Sequence, residues 1–281
     1  MTETKLPNTL KMGAVTLWVN DLDLMVKFYR DAVGLDLISE QNGIAILGYQ
    51  KNPIVVLEHK PAMKHAVSRD AGLFHTAILF PTQAALAKAV YDVAKQYPNR
   101  FTGSADHLVS KAFYFDDPEG NGVELYWDRD RTLWSWTHGS IEMATLFLDP
   151  NDFLAKHLDE TVKPTQKQVG HVHLSVGSIE AAEEFYVKML GFDKTLNWNN
   201  QAIFISVGGY HHHMAMNIWR SKGAGKRQLT LGLGDVKIQL ESSSEIDEIK
   251  SRLTYFDHPL TSAENAFSVN DPWGNRITVT A

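Results

Sequence analysis

The fold is decided by a stretch of sequence that occurs twice. Residues 14–36 read AVTLWVNDLDLMVKFYRDAVGLD and residues 171–193 read HVHLSVGSIEAAEEFYVKMLGFD, an offset of 157 positions. The two copies share valine, leucine and valine at alternate positions, then a Phe-Tyr pair, and then a glycine and an aspartate. This many matches at one offset, without a gap, indicate a duplication within the chain.

Both copies predict the same βαβββ unit. Their apolar residues first alternate, as on a strand with one buried face. They then recur at helical spacing, in the second copy at Ile179, Ala182, Phe185, Tyr186 and Met189. Gly34 and Gly191 follow the helices, where a C-cap needs a residue in the left-handed conformation. Three short strands complete the unit.

A second, weaker repeat lies nearer the end of each half. Residues 117–121 read DPEGN and residues 271–275 read DPWGN, and Ala-Phe precedes both at the same offset of 154. The pattern predicts a tight turn between two strands, because proline presets φ and glycine tolerates positive φ. The chain therefore predicts an α+β fold of four βαβββ modules, near residues 11–60, 72–128, 168–219 and 228–281.

The modules suggest two domains, which fits a chain of 281 residues at about 100–200 residues per domain. Residues 1–128 are expected to form the first domain and residues 168–281 the second. Residues 129–167 are expected to link them and to contain a short helix near residues 152–157.

Composition narrows the function classes. The net charge of −6 leaves no basic footprint for nucleic acid, and the absence of cysteine excludes disulfides and thiolate chemistry. No apolar run approaches the roughly 18 residues that span a membrane, and the N-terminus lacks an apolar stretch of signal-peptide type. We therefore expect a cytoplasmic protein with neither nucleic acid nor membrane as a partner.

Two histidines occupy the same position of the repeat. His75 and His171 each lie on the first strand of a module, seven residues before the expected start of its helix. Module one has Ala14 at this position, and module four has Asp235 by a loose alignment. One histidine on a strand is usually structural, but a repeated one indicates a shared function.

Glu124 lies three residues after the first Asp-Pro-x-Gly-Asn turn, on the last strand of module two. Alternation places it on one face with Tyr126, where a carboxylate is costly to bury unless it is paired or binds a metal. Two neutral imidazoles and one carboxylate suit non-haem Fe(II), and the same set holds Mn, Zn or Ni. A glutamate alone is more often a solvated strand residue. The metal site predicted at His75, Glu124 and His171 therefore depends on the occurrence of this glutamate together with two histidines at the same position of the repeat.

Two stretches carry a resemblance to a known family. Residues 106–130 read DHLVSKAFYFDDPEGNGVELYWDRD and residues 209–213 read GYHHH. They resemble the vicinal oxygen chelate superfamily, which includes glyoxalase I, bleomycin-binding proteins and extradiol dioxygenases, and within it the two-domain catechol 2,3-dioxygenases. The resemblance covers nearly the whole chain. It implies that the modules pair edge to edge into two half-open barrels.

The resemblance also implies roles for individual residues. Tyr114 stands ten residues before Glu124, the spacing of extradiol enzymes, in which this tyrosine hydrogen-bonds a substrate oxygen. His107 would act as an acid or base near bound oxygen, although it precedes the tyrosine by seven residues where the family has nine. His212 and His213 would contact the substrate or move protons.

The pocket walls are expected from neighbouring residues. His173 shares a strand face with His171 and would line the pocket. Alternation on the expected last strand of module three would turn His211 and His213 to one face and His212 to the other. Apolar walls for an aromatic ring are expected from Phe113, Trp127 and Met216.

One departure from the family pattern changes the expected pairing of modules. Extradiol enzymes take all three ligands from modules three and four, but module four here has neither histidine nor glutamate at the ligand positions. Module two offers both, and module three offers His171. We therefore infer that module two pairs with module three and module one with module four.

The leading hypothesis is extradiol cleavage of a catechol-like aromatic diol by O₂ at Fe(II), with Mn, Zn or Ni as other candidate metals. The partners would then be a small aromatic substrate and O₂, with a homodimer left open. One alternative is a glyoxalase-type isomerase, lyase or thiol transferase that uses a divalent metal. A second alternative is a non-enzymatic resistance protein that sequesters an aromatic ligand.

Overall fold

Each of the four predicted modules folds as one strand, one helix and three further strands in a computed structural model that describes residues 5–163 and 165–281. Module one contains β1 (Lys11–Val19), α1 (Leu22–Lys27), β2 (Asp36–Gln41), β3 (Ile44–Tyr49) and β4 (Asn52–His59). Module two contains β5 (Gly72–Leu79), α2 (Gln83–Gln96), β6 (Phe101–Asp106), β7 (Ser110–Asp116) and β8 (Gly122–Asp128).

The second half repeats this order after a connecting segment. That segment contains β9 (Trp136–Thr137), β10 (Ser140–Ile141), β11 (Leu146–Phe147) and α3 (Pro150–His157), the helix expected near residues 152–157. Module three contains β12 (Gln168–Ser175), α4 (Ile179–Ala182), β13 (Asp193–Trp198), β14 (Ala202–Ser206) and β15 (Met214–Asn217). Module four contains β16 (Gly232–Gln239), α5 (Ser243–Tyr255), β17 (Leu260–Ala263), β18 (Ala266–Asn270) and β19 (Arg276–Thr280).

The helices α1 and α4 continue as π-helices over Phe28–Ala32 and Glu183–Met189, which the helical spacing did not predict. The backbone N–H of Val33 reaches back five residues to the carbonyl of Phe28, at 3.1 Å. In each copy the π-helix carries two consecutive buried aromatic side chains. Both helices then end at a left-handed glycine, as predicted, with φ of 78° at Gly34 and 94° at Gly191.

The Asp-Pro-x-Gly-Asn turns anchor these π-helices. Asp117 Oδ1 accepts hydrogen bonds of 2.9 Å from the backbone N–H groups of Glu119 and Asn121, and the hydroxyl of Tyr29 donates to Oδ2 at 3.1 Å. In the second copy the hydroxyl of Tyr186 donates to the matching Asp271 at 3.0 Å. The duplicated Phe-Tyr pair and the duplicated turn are therefore two parts of one contact.

The strands form two large sheets and one short hairpin. The eight-stranded sheet has the order β17-β18-β19-β16-β1-β4-β3-β2, and the nine-stranded sheet has the order β11-β6-β7-β8-β5-β12-β15-β14-β13. Modules one and four thus share one sheet, and modules two and three share the other. This order confirms the inferred pairing of modules, and the predicted α+β class with two curled sheets is confirmed with it.

The chain divides into two compact units. The first comprises the described part of Met1–Thr16 together with Lys64–Phe74 and His171–Ala281, and the second comprises Leu17–Met63 and His75–Gly170. The expected domains 1–128 and 168–281, with their linker, stay a prediction. Among the described residues, no helix has the length and apolarity that crossing a membrane requires.

Candidate metal centre

His75 and Glu124 lie on neighbouring parallel strands. β5 and β8 pair with Ala77 opposite Glu124, and His75 is two residues before Ala77, so its side chain shares the face of Glu124. The Nε2 atom of His75 lies 2.9 Å from Oε2 of Glu124. Both residues are buried, with exposed fractions of 6% and 2%. Strand register therefore brings an imidazole and a carboxylate together away from bulk water.

His171 on β12 completes the group. His75, Glu124 and His171 each offer one ligand atom, and these three atoms all lie within 4.8 Å of one another. His171 is as buried as Glu124, with an exposed fraction of 2%. Within residues 5–163 and 165–281, no other group of three histidine or acidic side chains meets this distance. The structure thus brings together the three side chains predicted as ligands.

The donor set fits a divalent metal. Two ligand atoms at right angles, each about 2.1 Å from a metal, lie about 3 Å apart, close to the 2.9 Å between His75 and Glu124. A divalent charge would also offset the cost of burying the Glu124 carboxylate. Three protein ligands of this kind leave adjacent coordination positions for small molecules.

The equivalent positions in module four lack this set. Lys237 pairs with Thr278, so Asp235 stands where module two has His75, and Thr278 stands where it has Glu124. The Thr278 hydroxyl donates a hydrogen bond of 2.8 Å to Oδ1 of Asp235. The register confirms the alignment of Asp235, and Thr278 provides a matched control position for Glu124.

Tyr114 and His107 form a hydrogen-bonded chain beside Glu124. Tyr114 pairs with Glu124 across β7 and β8, so the two side chains lie on the same face of the sheet. The Tyr114 hydroxyl lies 2.7 Å from Nε2 of His107, whose Nδ1 lies 2.7 Å from the carbonyl oxygen of Ala144. A carbonyl only accepts, so Nδ1 of His107 carries a hydrogen and, in the neutral ring, Nε2 accepts.

Burial, together with the charge of Glu124, raises the pKa of the Tyr114 phenol well above its usual range. The phenol therefore stays protonated near neutral pH. Its single hydrogen can be given to His107 Nε2 or to another acceptor, but not to both at once. This arrangement makes Tyr114 a hydrogen-bond donor whose partner can change.

The three consecutive histidines lie before β15, not on it, so the expected alternation of their side chains is wrong. They follow Gly208 and Gly209, which both have positive φ, of 61° and 66°. The rings of His211 and His212 both approach His171, with centroid distances of 6.0 and 4.1 Å. The irregular backbone lets neighbouring side chains turn to the same side.

His213 points elsewhere. Its Nδ1 lies 2.8 Å from the hydroxyl of Ser206 and accepts the backbone N–H of Val207 at 3.4 Å. These contacts tie the histidine segment to the end of β14. Two histidines of this segment were predicted to be catalytic. His212 lies against His171, whereas His213 contacts the preceding strand, β14.

His173 is surrounded by rings that the sequence analysis did not single out. The ring centroids of Phe74 and Trp219 lie 4.9 and 5.4 Å from that of His173, and the side-chain amide of Asn217 lies 3.0 Å from its Nε2. His173 is two residues from His171 and faces the same side of β12. In the sequence, the position of Phe74 directly before the predicted ligand His75 could have indicated an aromatic ring near this site.

The expectation that Phe113, Trp127 and Met216 form apolar walls of the pocket is wrong. Alternation turns Phe113 away from the side of Tyr114, and its ring packs on Phe153 with a centroid distance of 4.8 Å. Trp127 likewise alternates with Tyr126, and Met216 pairs with Leu174 rather than with His173. These residues belong to the opposite faces of their strands.

The chain matches one superfamily over nearly its whole length. The model of the Glyoxalase/Bleomycin resistance protein/Dioxygenase superfamily matches residues 11–125 and 168–279. A Bacillus subtilis (strain 168) protein named Catechol-2,3-dioxygenase is 32% identical over 276 residues, which is 96% of each chain. The chain therefore belongs to the Glyoxalase/Bleomycin resistance protein/Dioxygenase superfamily.

Solved structures show the same fold. A putative dioxygenase from Bacillus subtilis subsp. subtilis str. 168 has a TM-score of 0.70 at 11% identity, covering 99% of this chain and 86% of its own. Glyoxalase I from Zea mays has a TM-score of 0.60 at 14% identity, covering 97% of this chain and 92% of its own. At these identities the similarity shows the fold alone.

Proposed function

We propose that this chain is an extradiol ring-cleaving dioxygenase that acts on a catechol-like diol, with Fe(II) held by His75, Glu124 and His171. The observation that carries the proposal is the buried convergence of these three side chains, two imidazoles and one carboxylate. The name of the Bacillus subtilis relative supports it. Mn, Zn and Ni remain candidate metals, because the ligand set alone does not select iron.

Bound iron would supply adjacent coordination positions for the diol and O₂ and the redox chemistry that joins them. The reaction adds both atoms of O₂ to the ring while one carbon–carbon bond next to the diol breaks. A six-carbon catechol thus becomes a ring-opened aldehyde acid without any external reductant. Atoms and electrons balance between the diol and O₂ alone.

The chain's own residues would hold the diol and manage its protons. The protonated phenol of Tyr114 would donate to a substrate oxygen in place of its present partner. Before the substrate binds, Nε2 of His107 would accept that hydrogen, because the carbonyl of Ala144 holds the ring hydrogen at Nδ1. His212, in ring contact with His171, is the candidate base that takes a proton from the diol.

Two observations favour this activity over the alternatives. A glyoxalase-type centre would use a second carboxylate, whereas the described group contains one carboxylate, with Tyr114 as its cross-strand neighbour. A non-enzymatic binder of aromatic ligands would have no use for a buried glutamate among histidines.

The test is turnover after anaerobic loading with Fe(II). Catechol is then added in air, and the yellow ring-opened product is followed by absorbance and identified by mass spectrometry. We expect rapid product formation by the wild type and by Thr278→Ala, and none by Glu124→Ala. If the wild type retains one metal ion but forms no product from any catechol, ring cleavage is wrong and isomerase-type chemistry becomes the better account.

A further inference from the structure

The imidazole rings of His211 and His212 form a buried pair in direct contact. Their Nδ1 atoms lie 2.7 Å apart, and their exposed fractions are 0% and 4%. Two nitrogen atoms at this distance share one hydrogen, because two N–H groups would clash and two lone pairs would repel. The hydrogen position of one ring therefore fixes that of the other.

We propose that His211 is a positioning residue, which accepts a hydrogen bond from Nδ1–H of His212 and so leaves Nε2 of His212 with its lone pair. This inference rests on the proposed function, in which His212 takes a proton from the diol. A base must present a lone pair to its substrate, and a partner at the other ring nitrogen determines which nitrogen that is. His211 would do this for His212.

The surroundings hold both rings in place. The ring of His212 contacts those of His171 and Phe204, with centroid distances of 4.1 and 5.0 Å. The ring of Tyr210 packs on His211 at 4.1 Å with an interplanar angle of 33°. These ring contacts limit rotation of both side chains and so favour the contact between the two Nδ1 atoms.

The backbone of His211 is anchored as well. The hydroxyl of Thr195, on β13, donates a hydrogen bond of 2.7 Å to the backbone carbonyl of His211. Thr195 is itself buried. This bond ties the irregular segment to the sheet at the residue that would orient His212.

The direct test is NMR of the metal-free protein labelled with ¹⁵N-histidine, at about pH 8, where histidine is mainly neutral. Two-bond proton–nitrogen correlations show which ring nitrogen carries the hydrogen. We expect His212 of the wild type to carry it on Nδ1, whereas free histidine favours Nε2. A wild-type His212 protonated on Nε2 would overturn the proposal without any variant.

Two variants separate positioning from simple packing. His211→Asn places an amide oxygen near the former Nδ1 and should keep the hydrogen of His212 on Nδ1. His211→Leu removes the acceptor and should return His212 toward the Nε2–H form. An unchanged pattern in a folded His211→Leu protein would contradict the role, and the exposed His65→Leu is the control.

Turnover of the Fe(II)-loaded protein gives a second readout. A lost orienting partner should lower kcat about 10–100-fold in His211→Leu with little change in KM, and His211→Asn should restore most of it. If wild type and variants alike form no product, the proposed function fails, while the NMR result still decides the role of His211.

Discussion

Replacing Glu124 with glutamine should remove most of the stabilisation by metal while it leaves the fold intact. Glutamine has the size of glutamate but lacks the charge that a divalent ion needs beside two imidazoles. At free metal 100-fold above the dissociation constant, binding stabilises the native state by about 2.7 kcal/mol. At about 2–4 °C per kcal/mol, this corresponds to a rise in melting temperature of about 5–11 °C.

A loss of about 100-fold in affinity would lower this stabilisation to about 0.4 kcal/mol at the same metal concentration. The assay is thermal unfolding by circular dichroism of chelator-treated protein, with and without Mn²⁺ or Zn²⁺. Thr278→Ala should keep the full shift, because it alters the matching position in the module that lacks the ligands. A full shift in Glu124→Gln would refute the assignment of Glu124 as a ligand.

Three further predictions follow from the contacts. Tyr114→Phe should lower kcat of the Fe(II)-loaded enzyme about 10²–10³-fold in steady-state turnover, because one preorganised hydrogen-bond donor is lost. An unchanged kcat would exclude Tyr114 as a donor to the substrate. Burial raises the pKa of Asp117 to about 6, so the native state binds the extra proton and stability falls as pH rises from about 4 to 6. Measured by urea titration, the free energy of unfolding of Asp117→Asn relative to that of the wild type should therefore rise by up to about 3 kcal/mol across that window. A difference that stays constant with pH would contradict the raised pKa of Asp117. Gly170→Ala should cost about 1–3 kcal/mol of unfolding free energy, because its Cβ would lie 1.7 Å from the buried Tyr126 hydroxyl; Gly225→Ala, with nothing within 4 Å, should be nearly neutral.

The sequence was sufficient for the parts of the fold that local chemistry determines. Strand alternation, helix caps and the two Asp-Pro-x-Gly-Asn turns depend on neighbouring residues, so the four modules could be placed correctly. The pairing of modules could be inferred only because His75, Glu124 and His171 cannot otherwise meet. The π-helices could not be predicted, since an apolar face at 3.6-residue spacing also suits a wider turn.

The site was predictable where ligands lie on regular strands and less so where they do not. The spacing of seven positions from His107 to Tyr114 is shorter than the nine of the family pattern, but the β6–β7 hairpin returns the chain so that their side chains meet at 2.7 Å. The histidine segment fails the alternation rule because Gly208 and Gly209 adopt positive φ before it. Contacts such as that of His173 with Trp219 join positions far apart in sequence, and periodicity carries no information about them.

The most direct test of the metal centre and its substrate is anomalous diffraction from crystals loaded anaerobically with Fe(II) and catechol. The account predicts one iron peak bonded to His75, Glu124 and His171, with both catechol oxygens on the iron and the Tyr114 hydroxyl donating to one of them. Iron bound to other residues, or catechol bound away from the iron, would contradict it.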